Sequence, residues 1–108
     1  LLFLYKQNSH VEYRHFGDID AGGFYILEHL KRKTGIPFMS LLMDRKVLEE
    51  YQESTLPLTA NDRRRHQALY DELTRQVAER TAVEDYRDTL AYMLEQGGKL
   101  EQEVVNCH

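Results

Sequence analysis

Cysteine is nearly missing from these 108 residues: Cys107 stands alone, which excludes an internal disulfide framework and a cysteine-based zinc site and fits a reducing compartment. Tryptophan is absent and proline occurs twice, so there is no proline-rich linker or recognition tract. No uncharged apolar run approaches the about 20 residues needed to cross a bilayer, and no basic n-region or small-residue cleavage site frames a signal peptide. A cytoplasmic protein without membrane contact is expected. Basic charge is also short: fourteen Lys and Arg against eighteen Asp and Glu leave −4, so general electrostatic adhesion to nucleic acid is excluded and any such contact must be local. No phosphate-cradling Walker loop and no Ser or Thr in a nucleophile elbow is found. What remains, 42% apolar and 30% charged residues, is the balance of one compact globular domain.

The chain opens Leu1-Leu2-Phe3-Leu4-Tyr5 without an initiator Met, and reads as an excised fragment whose first residues end some preceding element. Val11 to Phe16 carries strand-favouring residues, and the run continues through Gly17-Asp18-Ile19-Asp20 to a break at Ala21-Gly22-Gly23. From Phe24 the apolar period becomes helical: Phe24, Leu27 and Leu30 share a stripe with Ile26 beside it. Lys31, Arg32 and Lys33 suit the last turn, and Gly35 and Pro37 stop the helix. Ile36 to Met43 is nearly all apolar, the mark of a strand buried on both faces. Strand, turn, helix and strand make a βαβ unit, with parallel pairing and a right-handed crossover.

Past Pro57 the pattern is helical. Asp44 can cap a short helix bearing Val47, Leu48 and Tyr51. Thr59 can cap a longer one with Leu69, Leu73 and Val77, and Tyr70 alongside. Thr81-Ala82-Val83-Glu84 has capping-box spacing and predicts a helix bearing Tyr86, Leu90, Met93 and Leu94, closed by Gly97-Gly98. Lys99 to Glu103 suits either a helical turn or the start of a strand.

Asp18 and Asp20 lie two apart at the carboxyl end of the first predicted strand, so their side chains share a face. Open α/β sheets bind ligands at that edge, and two hard oxygen donors suit Mg²⁺ or Mn²⁺, with water completing the shell. The plainer account makes Asp20 a helix cap and Asp18 a solvated turn residue, and on spacing alone it carries more weight. Of the five histidines only His15, just ahead of the pair, is placed to line a cleft. Arg63-Arg64-Arg65 reads first as a solvated face paired with Asp62, and second as a contact to phosphate backbone. Cys107 has no recognisable base and is read as inert.

Gly17-Asp18-Ile19-Asp20-Ala21-Gly22-Gly23-Phe24, preceded by His15-Phe16, resembles the Asp-x-Asp motif of Toprim domains, especially those of type IIB topoisomerase A subunits. It is more similar still to the C-terminal domain of the JetD family, the nuclease subunit of Wadjet plasmid defence. Leu42-Met43-Asp44, the Pro57-Leu58-Thr59 helix start and Leu100-Glu101-Gln102-Glu103 follow in that family's order, so the resemblance spans about Val11 to Glu103. It implies an α/β, Rossmann-like Toprim fold with parallel strands, truncated at its N-terminus and helical in its second half. Residues 1–108 would then be the C-terminal portion of the domain. It also implies a Mg²⁺- or Mn²⁺-dependent DNA endonuclease module, homodimeric within a condensin-like SMC complex. Asp18 and Asp20 would hold the metal, Glu103 would join them as a catalytic carboxylate, and Glu101 would lie nearby.

The chain departs from that pattern in one respect. A Toprim site also uses a Glu after the first strand, and the only Glu ahead of Asp18 is Glu12, within the same predicted strand as the pair. The resemblance thus implies an isolated chain that is catalytically silent and a parent that cleaves. None of the seven Tyr is assigned a nucleophilic role, because in that resemblance the nucleophile sits in another domain. The reading from a different class is a non-catalytic βα module that binds a nucleotide or a partner protein at the same edge.

Overall fold

The computed structural model describes residues 13–102. The described elements are β1 (Arg14–His15), α1 (Ala21–Thr34), β2 (Met39–Ser40), α2 (Arg45–Glu50), a 3₁₀ turn (Gln52–Ser54), β3 (Leu56–Pro57), α3 (Ala60–Ala78), α4 (Arg87–Gln96) and β4 (Gly98–Lys99). β1 and β2 pair in parallel, with Arg14 opposite Met39 and His15 opposite Ser40, so the expected βαβ unit is present. β3 and β4 form a separate antiparallel pair. An isolated bridge between Ile19 and Leu100 ties the end of the first unit to the last described segment. The result is a small mixed α/β domain that is mostly helical.

Several helix ends lie where local chemistry directs. Asp20 caps α1, which stops at Gly35 in the left-handed region, φ 71°, where glycine is unstrained. Asp44 caps α2 by accepting from Val47 N. Thr59 and Asp62 form a reciprocal capping box on α3. Buried Phe24 and Leu27 of α1, Leu69 and Leu73 of α3, and Leu90 and Met93 of α4 meet in one core with Ile19, Ile36, Met43, Leu48 and Leu100. Phe24 stacks on Tyr86 with centroids 4.4 Å apart. The Tyr86 hydroxyl donates to Glu28 at 2.8 Å, and burial raises its pKa.

Three expectations from the sequence are corrected and one, the first strand, is met in part. Helix α1 begins at Ala21, not Phe24, because Asp20 supplies the cap and Gly22-Gly23 enter the first turn; Ile26 is exposed. The apolar run Ile36 to Met43 is not one long strand: among the described residues only Met39–Ser40 pair, while Pro37, Leu41 and Leu42 are exposed and Ile36, Phe38 and Met43 reach the core from irregular backbone. Within the predicted strand Val11 to Phe16, pairing among the described residues covers Arg14–His15. Thr81 to Glu84 makes no capping box. Thr81 N bonds the Gln76 carbonyl at the end of α3, and the Glu84 carboxylate accepts from Ser40 N at 2.8 Å and Ser40 Oγ at 2.6 Å, so α4 opens later, at Arg87.

His66 sets a pH limit on this core. It is fully buried, and its Nδ1 lies 2.6 Å from the Asp62 carbonyl, which assigns the proton to Nδ1 and leaves Nε2 without a partner among the described residues. Burial lowers its pKa, and burial lowers that of His15 as well. A histidine held neutral in the fold binds fewer protons than in the unfolded chain. Its stability contribution is therefore complete above about pH 6.5 and falls as pH drops below that value. Urea denaturation should show stability falling as pH drops from about 6.5 to about 5.5, with fully buried His66 contributing. His66→Met should remove the His66 share; an unchanged pH profile in that variant would refute the assignment.

Candidate functional site

After β1 the chain runs through Phe16 and Gly17 to Ile19, which exchanges two backbone hydrogen bonds with Leu100, Ile19 N to Leu100 O at 2.7 Å and Leu100 N to Ile19 O at 3.1 Å. Ile19 is completely buried in the core. Asp18 and Asp20 flank Ile19 in sequence, and the alternation of extended backbone is the reason to expect their side chains on the face opposite it. The pair is therefore fixed by the core residue between them.

Each aspartate has one oxygen engaged. Asp20 is extended, φ −154° and ψ 176°, and its Oδ1 accepts from Gly23 N at 2.7 Å. Asp18 Oδ1 accepts from the backbone amide of Gln102 at 2.8 Å. The Asp18 carboxylate is thus half-buried and bonded, not a solvated turn residue. No hydrogen bond or ion pair to a cationic side chain neutralises either carboxylate among the described residues, and each keeps its second oxygen uncommitted there. Gly23 makes the approach possible: a Cβ there would lie 1.9 Å from the Asp18 carbonyl oxygen. The Asp20 charge also reaches across to α3, where it opposes the burial that keeps His66 neutral.

Helix α3 brings its basic run to this side of the fold, though not as expected. Asp62 pairs with Lys99, Oδ2 to Nζ 2.8 Å, instead of with the arginines beside it. Lys99 and the Thr59 amide together hold the Asp62 carboxyl at a pKa of about 2. Arg63 donates to the Leu94 carbonyl and Arg64 to Asn61. Arg65 lies over the Tyr25 ring, 5.1 Å from its centroid, next to the first turn of α1.

Other candidates separate clearly. The His15 ring folds onto Gly17, where a Cβ would meet Nε2 at 2.8 Å, and that nitrogen is buried without a partner among the described residues. Asp44 serves as a cap. Glu101 is exposed. Glu103, Glu12, Cys107 and the opening Leu1 to Tyr5 lie outside the described residues. No cluster of three or more His, Cys, Asp or Glu capable of holding a metal occurs among the described residues. Sequence reasoning missed Gln102, whose contribution is a backbone amide, and weighed Arg65 only as part of a charge run.

This geometry defines an α/β module that presents two carboxylates at a strand-to-helix junction. The family profile described as Wadjet protein JetD, C-terminal, matches residues 3–108, and the chain belongs to that family of the Wadjet defence system. No curated protein and no solved structure matches it significantly. No described helix is long and apolar enough to cross a membrane.

Proposed function

We propose that the chain is the metal-binding part of a Toprim-type DNA endonuclease, acting within a condensin-like plasmid-defence complex. The observation that carries this reading is the Asp18–Asp20 pair: two half-buried carboxylates flanking buried Ile19, each, among the described residues, with one oxygen uncommitted and no ion pair. The donors are hard oxygens, the set that Mg²⁺ or Mn²⁺ accepts while keeping several waters. Asp18 and Asp20 would hold the ion, and Glu103 would complete the acidic set. When bound, such an ion polarises a phosphoryl oxygen and stabilises the charge on the leaving oxygen. The chain's own residues do the positioning. Gln102 N–H fixes the Asp18 carboxylate, Gly23 N–H fixes that of Asp20, and the Ile19–Leu100 bridge fixes the backbone between them. DNA, the SMC-type subunits and a second copy of the protein are the proposed partners.

The backbone duties of both aspartates also suit a non-catalytic module that binds a nucleotide or a protein at this edge. Plasmid cleavage by the complete complex in Mn²⁺ separates the two readings. Asp18→Asn is expected to reduce cutting at least about 100-fold while leaving complex assembly intact. Full cutting by that variant would reject the nuclease assignment.

A further inference from the structure

We propose that Arg65 is a phosphate-binding residue, gripping a backbone phosphate of DNA beside the Asp18–Asp20 edge. The inference rests on the phosphodiester reading of that edge and names the group that would hold its substrate. Three consecutive arginines open α3, and two have local partners, Arg63 on the Leu94 carbonyl and Arg64 on Asn61. Arg65 has neither a carboxylate nor a carbonyl partner among the described residues, and its pose is set by the Tyr25 ring. Its guanidinium lies where the two helices meet. A Cβ on Gly22 would be 3.9 Å from Arg65 Nη2 and 3.3 Å from Asp20 Oδ1, so the cation and the carboxylate flank the same bare glycine.

That arrangement suits a phosphodiester. An unpaired guanidinium keeps its planar fork of N–H donors for two oxygens of one phosphate, and stacking on an aromatic ring removes part of the ordering cost of binding. Asp20 makes no contact ion pair with Arg65, so the guanidinium N–H donors remain uncommitted among the described residues. In a chain of net charge −4, one unpaired cation beside an acidic pair is the local basic contact that general electrostatics does not provide.

The test is anisotropy of a fluorescein-labelled DNA duplex titrated with the chain in EDTA, over a salt series. The Asp18→Asn, Asp20→Asn double variant is titrated alongside, because without an ion the two carboxylates oppose a phosphate and the variant removes that opposition. Arg65→Ala should weaken binding about tenfold and reduce the slope of log affinity against log salt by about 0.9, whereas Arg64→Ala changes both less. Arg65→Lys should recover the salt slope but only part of the affinity, since it keeps the charge and loses the fork. Thermal melts of the same variants check that α3 stays folded. Failure of both the wild-type chain and the double aspartate variant to bind the duplex, or an Arg65→Ala chain with unchanged affinity and slope, overturns the proposal. Mn²⁺ titration of the Asp18→Asn, Asp20→Asn double variant tests the metal separately. Unchanged Mn²⁺ affinity there rejects the ion site, while an Arg65 effect on duplex binding still upholds the phosphate contact.

Discussion

Gly23→Ala should destabilise the domain by at least about 3 kcal/mol, although alanine is intrinsically the better helix former by about 1 kcal/mol. The added Cβ would lie 1.9 Å from the Asp18 carbonyl oxygen, 2.9 Å from its carbonyl carbon and 3.3 Å from its amide nitrogen. All three are backbone atoms, so no side chain can rotate away and the first turn of α1 must retreat from the Asp18 strand. That movement would break the Gly23 N–H bond to Asp20 and pull the two carboxylates out of register, so the site should fail together with the fold. Gly22→Ala is the matched control. Its Cβ would meet only side-chain atoms, Asp20 Oδ1 at 3.3 Å and Arg65 Nη2 at 3.9 Å, and its stability should stay within about 1 kcal/mol of wild type. Urea midpoints for the two variants provide the comparison; a Gly23→Ala chain as stable as wild type would show that the close approach is not obligatory.

Asp20 is expected to have two separable duties. As the N-cap of α1 it accepts from Gly23 N, and asparagine performs that task about as well as aspartate. As a proposed metal ligand it must be anionic, and asparagine is not. Asp20→Asn should therefore keep wild-type stability to within about 0.5 kcal/mol while losing at least about 100-fold in Mn²⁺ affinity. Asp20→Ala should lose both, with a further cost of about 1 kcal/mol for the missing cap. Denaturation and Mn²⁺ titration on the three proteins separate the duties. Equal Mn²⁺ affinity in wild type and Asp20→Asn would reduce Asp20 to its capping duty alone.

The helices were legible because their ends are written in adjacent residues. Asp44, Thr59, Gly35 and Gly97 each act within one turn of their own helix, and each appears where the residue type predicts. The βαβ order could be read for the same reason, from a change of period at the glycines. Apart from the start of α1, which the adjacent Asp20 cap moves to Ala21, the failures involve partners distant in sequence. Glu84 looked like the second half of a capping box, but Ser40, 44 residues away, claims its carboxylate. The run Ile36 to Met43 looked like a buried strand because period alone cannot distinguish paired backbone from loop residues that reach the same core.

The candidate site divides in the same way. Asp18 and Asp20 could be chosen from spacing, since extended backbone puts alternate residues on one face. The partner that holds Asp18 is a main-chain amide 84 residues later, and main-chain amides carry no sequence signature. Arg65 could be chosen from its two arginine neighbours only through the Tyr25 ring across the interface between α1 and α3.

Whether Asp18 and Asp20 together hold a divalent cation is tested most directly by anomalous diffraction from crystals of the chain soaked in Mn²⁺. The expected result is one anomalous peak within coordination distance of a carboxylate oxygen of Asp18 and one of Asp20, absent from crystals of Asp20→Asn. A saturating soak with no peak at this edge, or a peak unchanged in Asp20→Asn, would contradict it.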